Sequence, residues 1–233
     1  MMMLQSTEVV ILAGGASQRM GSPKALLHFS KHETFLDHIL AVYRAAGIER
    51  STVVWAESAR RDTRVLHSIA NPRTISLKTR HVFHEDFLAD RLASVLLGLR
   101  ITDSDRCVFL QDVDRPFITW AAIQALLASQ VTDGYAAPRV SGSTSASEIA
   151  GHPLLLTPPL IRELLDKNLA DPCIQNERSS TLRDLLRDYP CTLVSVGSEE
   201  VASELEININ TPADYRRYFR LHPCPAHSSS IVQ

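Results

Sequence analysis

The 233-residue chain carries 24 Lys and Arg against 26 Asp and Glu, a formal net charge of −2, and 45% hydrophobic residues. This is the profile of an ordinary globular protein of one domain or at most two, and it excludes both a disordered chain and the basic surface of a nucleic-acid binder. A chain of this size buries a core that needs no disulfide scaffold; Cys107, Cys173, Cys191 and Cys224, far apart and without CxxC spacing, favour a reducing compartment, and no apolar run approaches the roughly 18 to 20 residues that cross a bilayer. A cytoplasmic protein with no membrane or nucleic-acid partner is expected.

Glu8 to Leu12 is a short apolar run that ends in Ala13-Gly14-Gly15, as a buried parallel strand feeding a loop would. Phe35, Leu36, Ile39, Leu40, Val42 and Tyr43 recur at helical spacing, with Thr34 as cap and Gly47 as stop. Strands are expected at Thr52–Trp55, Arg80–Phe83 and Arg106–Gln111, and helices over Leu88–Leu99 and Trp120–Ser129. That alternation predicts α/β layers around a mainly parallel sheet. Tyr135–Val140 and Pro153–Leu156 read as strands joined by a mobile small-residue loop over Ser141–Ser147. Helices follow at Leu160–Lys167 and Leu182–Arg187, strands near Thr192–Val196 and Leu205–Asn208, and a helix after Thr211-Pro212. Residues 1–221 are expected to form one domain and 222–233, rich in Pro and Ser, a disordered tail.

The chemistry concentrates in Leu12-Ala13-Gly14-Gly15-Ala16-Ser17-Gln18-Arg19-Met20-Gly21-Ser22-Pro23-Lys24. Glycines after a strand let the backbone approach a ligand with its N–H groups aimed at phosphate oxygens, and Arg19 and Lys24 add positive charge. Of the 24 basic residues 20 are Arg, so a Lys in this loop is notable. The spacing is neither GxGxxG nor GxxxxGK[ST], which removes both the dinucleotide and the P-loop readings. Asp114 follows the strand that ends near Gln111, at the sheet edge where ligands bind, and Mg²⁺ favours one or two carboxylates with phosphate oxygens and water. Asp112 lies two residues back, so Asp112-Val113-Asp114 is also a DxD pattern. Either aspartate could instead cap the loop. Asn208 and Asn210 would share a face of the expected strand, with helix capping as the alternative. His152 before Pro153 could be an ordinary turn histidine, and His222, Cys224 and His227 belong to the tail.

LAGGxSxRMGxxK resembles the N-terminal signature of the nucleotidyltransferases that act on molybdopterin, the molybdenum cofactor guanylyltransferases and the molybdopterin cytidylyltransferases. Asp114-Arg115-Pro116-Phe117 resembles the family's DxPF segment, Gly151-His152-Pro153 its GHP segment, and Asn208 to Tyr215 its NxNTPxD segment. The resemblance implies a three-layer Rossmann-like sandwich of the nucleotide-diphospho-sugar transferase type, a nucleoside triphosphate and Mg²⁺. It assigns catalysis to Arg19, Lys24 and Asp114, the nucleotide to Leu12, Ala13, Gly14, Gly15, Ser17, Arg19, Lys24 and Ser94, the metal to Asp114, Asn208 and Asn210, and the acceptor to His152 and Asn210. Ser94 and Gly98 resemble the family's SLxxG helix start, where Ala89-Asp90-Arg91 replaces the usual glycine pair.

The acceptor so implied is a phosphorylated pterin and a possible partner a client molybdenum enzyme. Ala13-Gly14-Gly15 resembles the guanylyl branch, whereas Ser22 to Leu27 and Gly151-His152-Pro153 resemble the cytidylyl branch; GTP is expected over CTP because Gly at the second loop position leaves room for a purine. Three other readings remain open: a metal-dependent glycosyltransferase using the DxD pattern, a sugar- or polyol-phosphate nucleotidyltransferase, and a non-catalytic carrier of the cofactor.

Overall fold

In the computed structural model the described residues are 7–14, 20–70, 78–84, 91–139, 152–170 and 182–219. β1 (Thr7–Ala13) lies between β4 (Arg50–Ala56) and β6 (Cys107–Asp112), parallel to both, and β5 (Lys78–His84) extends the parallel run beyond β4. The seven-stranded sheet has the order β5-β4-β1-β6-β8-β7-β9, completed by β7 (Tyr135–Pro138), β8 (Leu154–Leu156) and β9 (Cys191–Val194). β8 is antiparallel to both its neighbours, and β7 and β9 are parallel to each other. A hairpin of β2 (His28–Ser30) and β3 (Glu33–Thr34) stands apart from the sheet.

Successive side chains of β1 alternate between two cores, which is why this strand reads as a continuous apolar run. Val9 and Ile11 pack with Phe35, Leu36, Ile39 and Tyr43 of α1 (Phe35–Ala45), Ile123 and Leu126 of α4 (Trp120–Ala128), and Tyr215 of α8 (Pro212–Tyr218). Val10 and Leu12 pack with Val95 and Leu99 of α3 (Arg91–Ile101), Leu160 and Leu164 of α5 (Pro158–Ala170), and Leu182 and Leu186 of α6 (Leu182–Leu186). Helices therefore cover both faces of a mainly parallel sheet, the three-layer sandwich expected from the sequence. Gly98 lets α3 approach β1: a Cβ there would stand 2.4 Å from Val10 Cγ1. Among the described residues no helix is long and apolar enough to cross a membrane.

Local signals explain the helix starts. Thr34 caps α1 through a capping box with Asp37, and Thr211 does the same for α8 with Asp214, where Pro212 suits the first turn. One expected element is overturned. Leu205 belongs not to a strand but to α7 (Glu199–Glu206), capped by Ser198, and 207–210 continue without strand pairing. Ser198, the acidic first turn, and Val201, Ala202 and Leu205 on one face are together a helical signal that outweighs the short alternation through Ile209. The sequence reading also passed over α2 (Thr63–Ile69), capped by Asp62, and the β2–β3 hairpin. The Ser141–Ser147 loop, the start of the helix expected from Leu88, and the tail lie outside the described residues.

At the far edge of the parallel run Trp55 Nε1–H donates to His81 Nδ1 at 3.0 Å, and burial pushes the His81 imidazole from its ordinary 6.5 down to about 4. Between these values an unfolded His81 takes a proton that the folded one refuses. Stability therefore falls as pH drops from about 6.5 towards 4. The urea midpoint is expected to decline across that window, and less steeply in His81→Gln; equal slopes in the two proteins would refute the assignment.

Candidate active site

β1, β4 and β5 step one way across the sheet and β6 returns to the other side of β1, so the chain reverses direction between β1 and β6. Ligands bind outside the carboxyl ends of strands at such a switch point. Leu12 pairs with Asp112 at those ends, and Val113 N–H donates to Leu12 O at 3.1 Å, which carries the pairing one residue further. The glycine-rich segment and the Asp112–Arg115 turn thus leave the sheet side by side.

Met20, Ala25 and Leu27 are buried in the core on either side of Lys24, and Arg64 Nη1–H donates to Ser22 Oγ at 3.2 Å. Lys24 opens a short 3₁₀ turn, Lys24–Leu26, behind Pro23. A flexible lysine is in this way mounted on a fixed base. Its Nζ–H donors reach Asp114 Oδ2 at 2.9 Å and Asn210 Oδ1 at 2.6 Å, and both Lys24 and Asp114 are mostly shielded from solvent. Ile209 N–H donates to Asp114 O at 2.8 Å, tying the Asn208–Asn210 segment to the aspartate turn. Three expected site residues, Lys24, Asp114 and Asn210, therefore meet at one point.

Gln111, which the sequence reading did not single out, holds that turn from beneath. It is fully buried; its Nε2–H donors reach Asp112 O at 2.8 Å and Arg115 O at 3.0 Å, and its Oε1 accepts from the Tyr43 hydroxyl at 3.2 Å. A polar residue in an otherwise apolar strand, one position before the turn, is the signal that could have found it. Burial raises the Tyr43 hydroxyl well above its ordinary range, so it remains a donor.

The other expected residues take separate places. Asn208 and Asn210 do not share a strand face: Asn210 is exposed and meets Lys24, whereas Asn208 Oδ1 is buried and has no hydrogen-bond partner among the described residues. Neither side chain caps α8, which Thr211 does. Ser94 is buried on α3, and a Cβ added at Gly14 would stand 3.3 Å from its Oγ, so helix and loop close on each other here. Leu12 and Ala13 end β1 beneath this contact. Gly15, Ser17, Arg19 and Gly151 lie outside the described residues.

Asp112 parts company with Asp114. Its Oδ2 accepts from Arg91 Nη2 at 2.5 Å, with Arg115 Nε 3.9 Å away. His152, two residues before β8, puts Nδ1 3.2 Å from Leu110 O and Nε2 2.7 Å from Arg91 Nη2. The carbonyl requires a proton on Nδ1 and the guanidinium a lone pair on Nε2, so the ring is a neutral tautomer. Burial lowers the His152 pKa, opposed by Asp112 and reinforced by Arg91 and Arg115. The 3.2 Å approach of Nε2 to Asp112 Oδ2 is therefore not an ion pair but two acceptors sharing the Arg91 donor.

Oxygen donors suit a hard divalent cation. Asp114 Oδ2 and Asn210 Oδ1 already converge on a positive charge, and Asn208 supplies a buried orphan oxygen in the adjoining segment. Among the described residues no group of three or more His, Cys, Asp or Glu side chains could hold a metal alone. The set fits a cation that takes one carboxylate and completes its shell with phosphate and water, not one caged by protein.

Residues 9–196 match the family model of the MobA-like NTP transferase domain. Among solved structures the chain is similar to Rv0371c from Mycobacterium tuberculosis H37Rv, with 22% identity, 92% of this chain and 98% of that chain covered, and a TM-score of 0.69. It is also similar to 4-diphosphocytidyl-2C-methyl-D-erythritol synthase from Anaerococcus prevotii, with 17% identity, 89% and 94% covered, and a TM-score of 0.63. A third is molybdopterin-guanine dinucleotide biosynthesis protein A from Archaeoglobus fulgidus, with 17% identity, 91% and 96% covered, and a TM-score of 0.57. No curated protein matches the chain.

Proposed function

The chain belongs to the MobA-like NTP transferase family and is a nucleotidyltransferase, and from that premise we propose that it transfers a nucleoside monophosphate, from GTP in preference to CTP, to a phosphorylated pterin of the molybdopterin type with Mg²⁺ as the metal. The observation that carries the reading is the meeting of Lys24, Asp114 and Asn210 at the β1–β6 switch point. Nucleotidyltransferases of this family use divalent metals, and Rv0371c has also been solved with manganese.

The acceptor phosphate is itself the nucleophile. Its oxygen forms a bond to the α-phosphorus as the bond to the pyrophosphate oxygen breaks, so no side-chain base is needed and the protein supplies position and charge. Asp114, with Asn210 and Asn208, would hold the cation, which supplies charge neutralisation at the α-phosphate. Lys24 and Arg19, with the N–H groups of the Gly14–Ser17 loop, neutralise the leaving pyrophosphate. Gln111 keeps the Asp112–Arg115 turn in place, so Asp114 needs no rearrangement when ligands arrive. Ser94 and Gly14 border the nucleoside, and absence of a Cβ at Gly14 favours the larger base. The free thiols of Cys107 and Cys191 suit a reducing, cytoplasmic setting, with a molybdenum enzyme as the client for the product.

The likeness to 4-diphosphocytidyl-2C-methyl-D-erythritol synthase favours a second reading, a cytidylyl transfer to a polyol phosphate. A glycosyltransferase of the DxD kind is disfavoured because the Asp112 carboxylate is already taken by Arg91. Thermal shift with GTP, CTP, ATP and UTP, each with Mg²⁺, decides between bases. A ligand at 100 times its Kd adds about 2.7 kcal/mol, which in a chain of this size raises Tm by roughly 5–11 °C. GTP is expected to give the largest shift and CTP a smaller one. A larger shift with CTP selects the second reading, and no shift with any triphosphate refutes both.

A further inference from the structure

The transfer described above uses Lys24, Asp114 and Asn210 and leaves idle a second charged cluster at the same sheet edge. Asp112 and His152, both buried, grip one nitrogen of Arg91 at 2.5 and 2.7 Å, while half of the Arg91 side chain remains exposed. Arg115 stands 3.9 Å from the same carboxylate oxygen. Because the two hydrogen bonds of His152 fix a neutral ring, the cluster comprises, among the described residues, two guanidinium groups and one carboxylate. Its exposed cationic part is Arg91.

Asp112 and Asp114 are two residues apart, so their backbones are at most about 7 Å apart. The reaction brings two anions together at this edge, and one cationic station, Lys24, serves the triphosphate. The second anion needs a cation of its own, because like charges held close in a water-poor site repel strongly. A guanidinium has five N–H donors in one fixed plane, and an Arg gripped through Nη2 keeps those of Nε and Nη1 for phosphate oxygen. We propose that Arg91 receives the phosphate of the acceptor, and that Asp112 and His152 are positioning residues that aim its guanidinium.

This proposal rests on the nucleotidyl-transfer reading, and its test separates the two. Phenyl phosphate serves as a probe for the acceptor phosphate, titrated by calorimetry into protein saturated with Mg²⁺ and the α,β-methylene analogue of the triphosphate that stabilises it most. The analogue fills the Lys24 station and blocks transfer. Arg91→Ala and Arg91→Gln are each expected to weaken phenyl phosphate at least tenfold and to leave the triphosphate shift unchanged; Arg91→Lys is expected to recover only part of the loss, since a single ammonium cannot both answer Asp112 and His152 and offer donors from other nitrogens. Asp112→Asn should weaken the probe in the wild-type background and have no further effect in Arg91→Ala, a coupling that a merely structural role would not produce.

Unchanged probe binding in both Arg91→Ala and Arg91→Gln overturns the proposal. So does equal weakening of the triphosphate and the probe, which would assign Arg91 to the nucleotide. A wild-type protein that no triphosphate stabilises refutes the transfer reading instead; Arg91 is then judged by phenyl phosphate titrated into the free protein, where loss of binding in both variants upholds a phosphate site and unchanged binding overturns it.

Discussion

Asp114→Asn is expected to lower turnover by about 10²- to 10³-fold, the size of effect that follows removal of one preorganised charge contact. The substitution keeps the shape of the side chain and the Ile209 N–H bond to the Asp114 carbonyl, so the fold is expected to survive. What it removes is a negative charge that both restrains the Lys24 ammonium at 2.9 Å and would bind the metal. The apparent requirement for Mg²⁺ should therefore shift to higher concentration while circular dichroism and Tm stay near the wild type. Lys24→Met should cost a comparable factor, and the double variant much less than the product of the two, because the groups act as a unit. Near wild-type turnover of Asp114→Asn with metal still required would remove Asp114 from the mechanism.

The largest expected effect on stability is at Gly134, remote from the chemistry. Its φ is +67°, and a Cβ there would stand 2.0 Å from Pro190 O. The position joins three elements: Tyr135 N–H donates to Pro190 O at 3.0 Å, and Gly134 O accepts both the backbone N–H of Thr157 at 3.1 Å and its hydroxyl at 2.8 Å. Gly134→Ala adds a left-handed residue, at about 1–2 kcal/mol, to a backbone clash of the overpacking kind, at about 1–3 kcal/mol. A loss of about 2–5 kcal/mol is expected in urea unfolding, with a fall in Tm on the order of 10 °C. Gly134→Asn tests the division, since Asn tolerates the left-handed conformation but carries the same Cβ. Recovery of most of the stability in Gly134→Asn would show that the clash is absent.

β1, β4 and β6 were legible because strands buried on both faces announce themselves as unbroken apolar runs, and α1 and α8 because Thr34 and Thr211 carry their caps in sequence. α7 was misread because Ile207-Asn208-Ile209-Asn210 alternates with the period of a strand while the capping signal lies earlier, at Ser198. Of the site, the resemblance had grouped Lys24 with Asp114 in catalysis and Asp114 with Asn210 at the metal, but the direct bonds from Lys24 to both span 90 and 186 positions, and no local pattern encodes them. The grip of Asp112 and His152 on Arg91 was invisible for a different reason. Asp112 read as part of a metal-binding pattern, and only packing just before β8 decides that its carboxylate answers a guanidinium.

The bond between Lys24 and Asn210 also bears on how the enzyme is made. The parallel run of β5, β4, β1 and β6 is complete by residue 112, yet Asn210 and the Ile209 N–H that fastens the Asp114 turn come almost a hundred residues later. Loop-closure entropy grows with the logarithm of the intervening length, so this contact is among the costliest to close and gains its reward only after the intervening layers have packed. During synthesis the growing chain would hold the Lys24 and Asp114 turns without the Asn210 segment that completes their meeting. Recovery of activity in a refolding experiment should accordingly trail recovery of the tryptophan signal from Trp55 in the central sheet, a lag that would date the docking of the C-terminal segment.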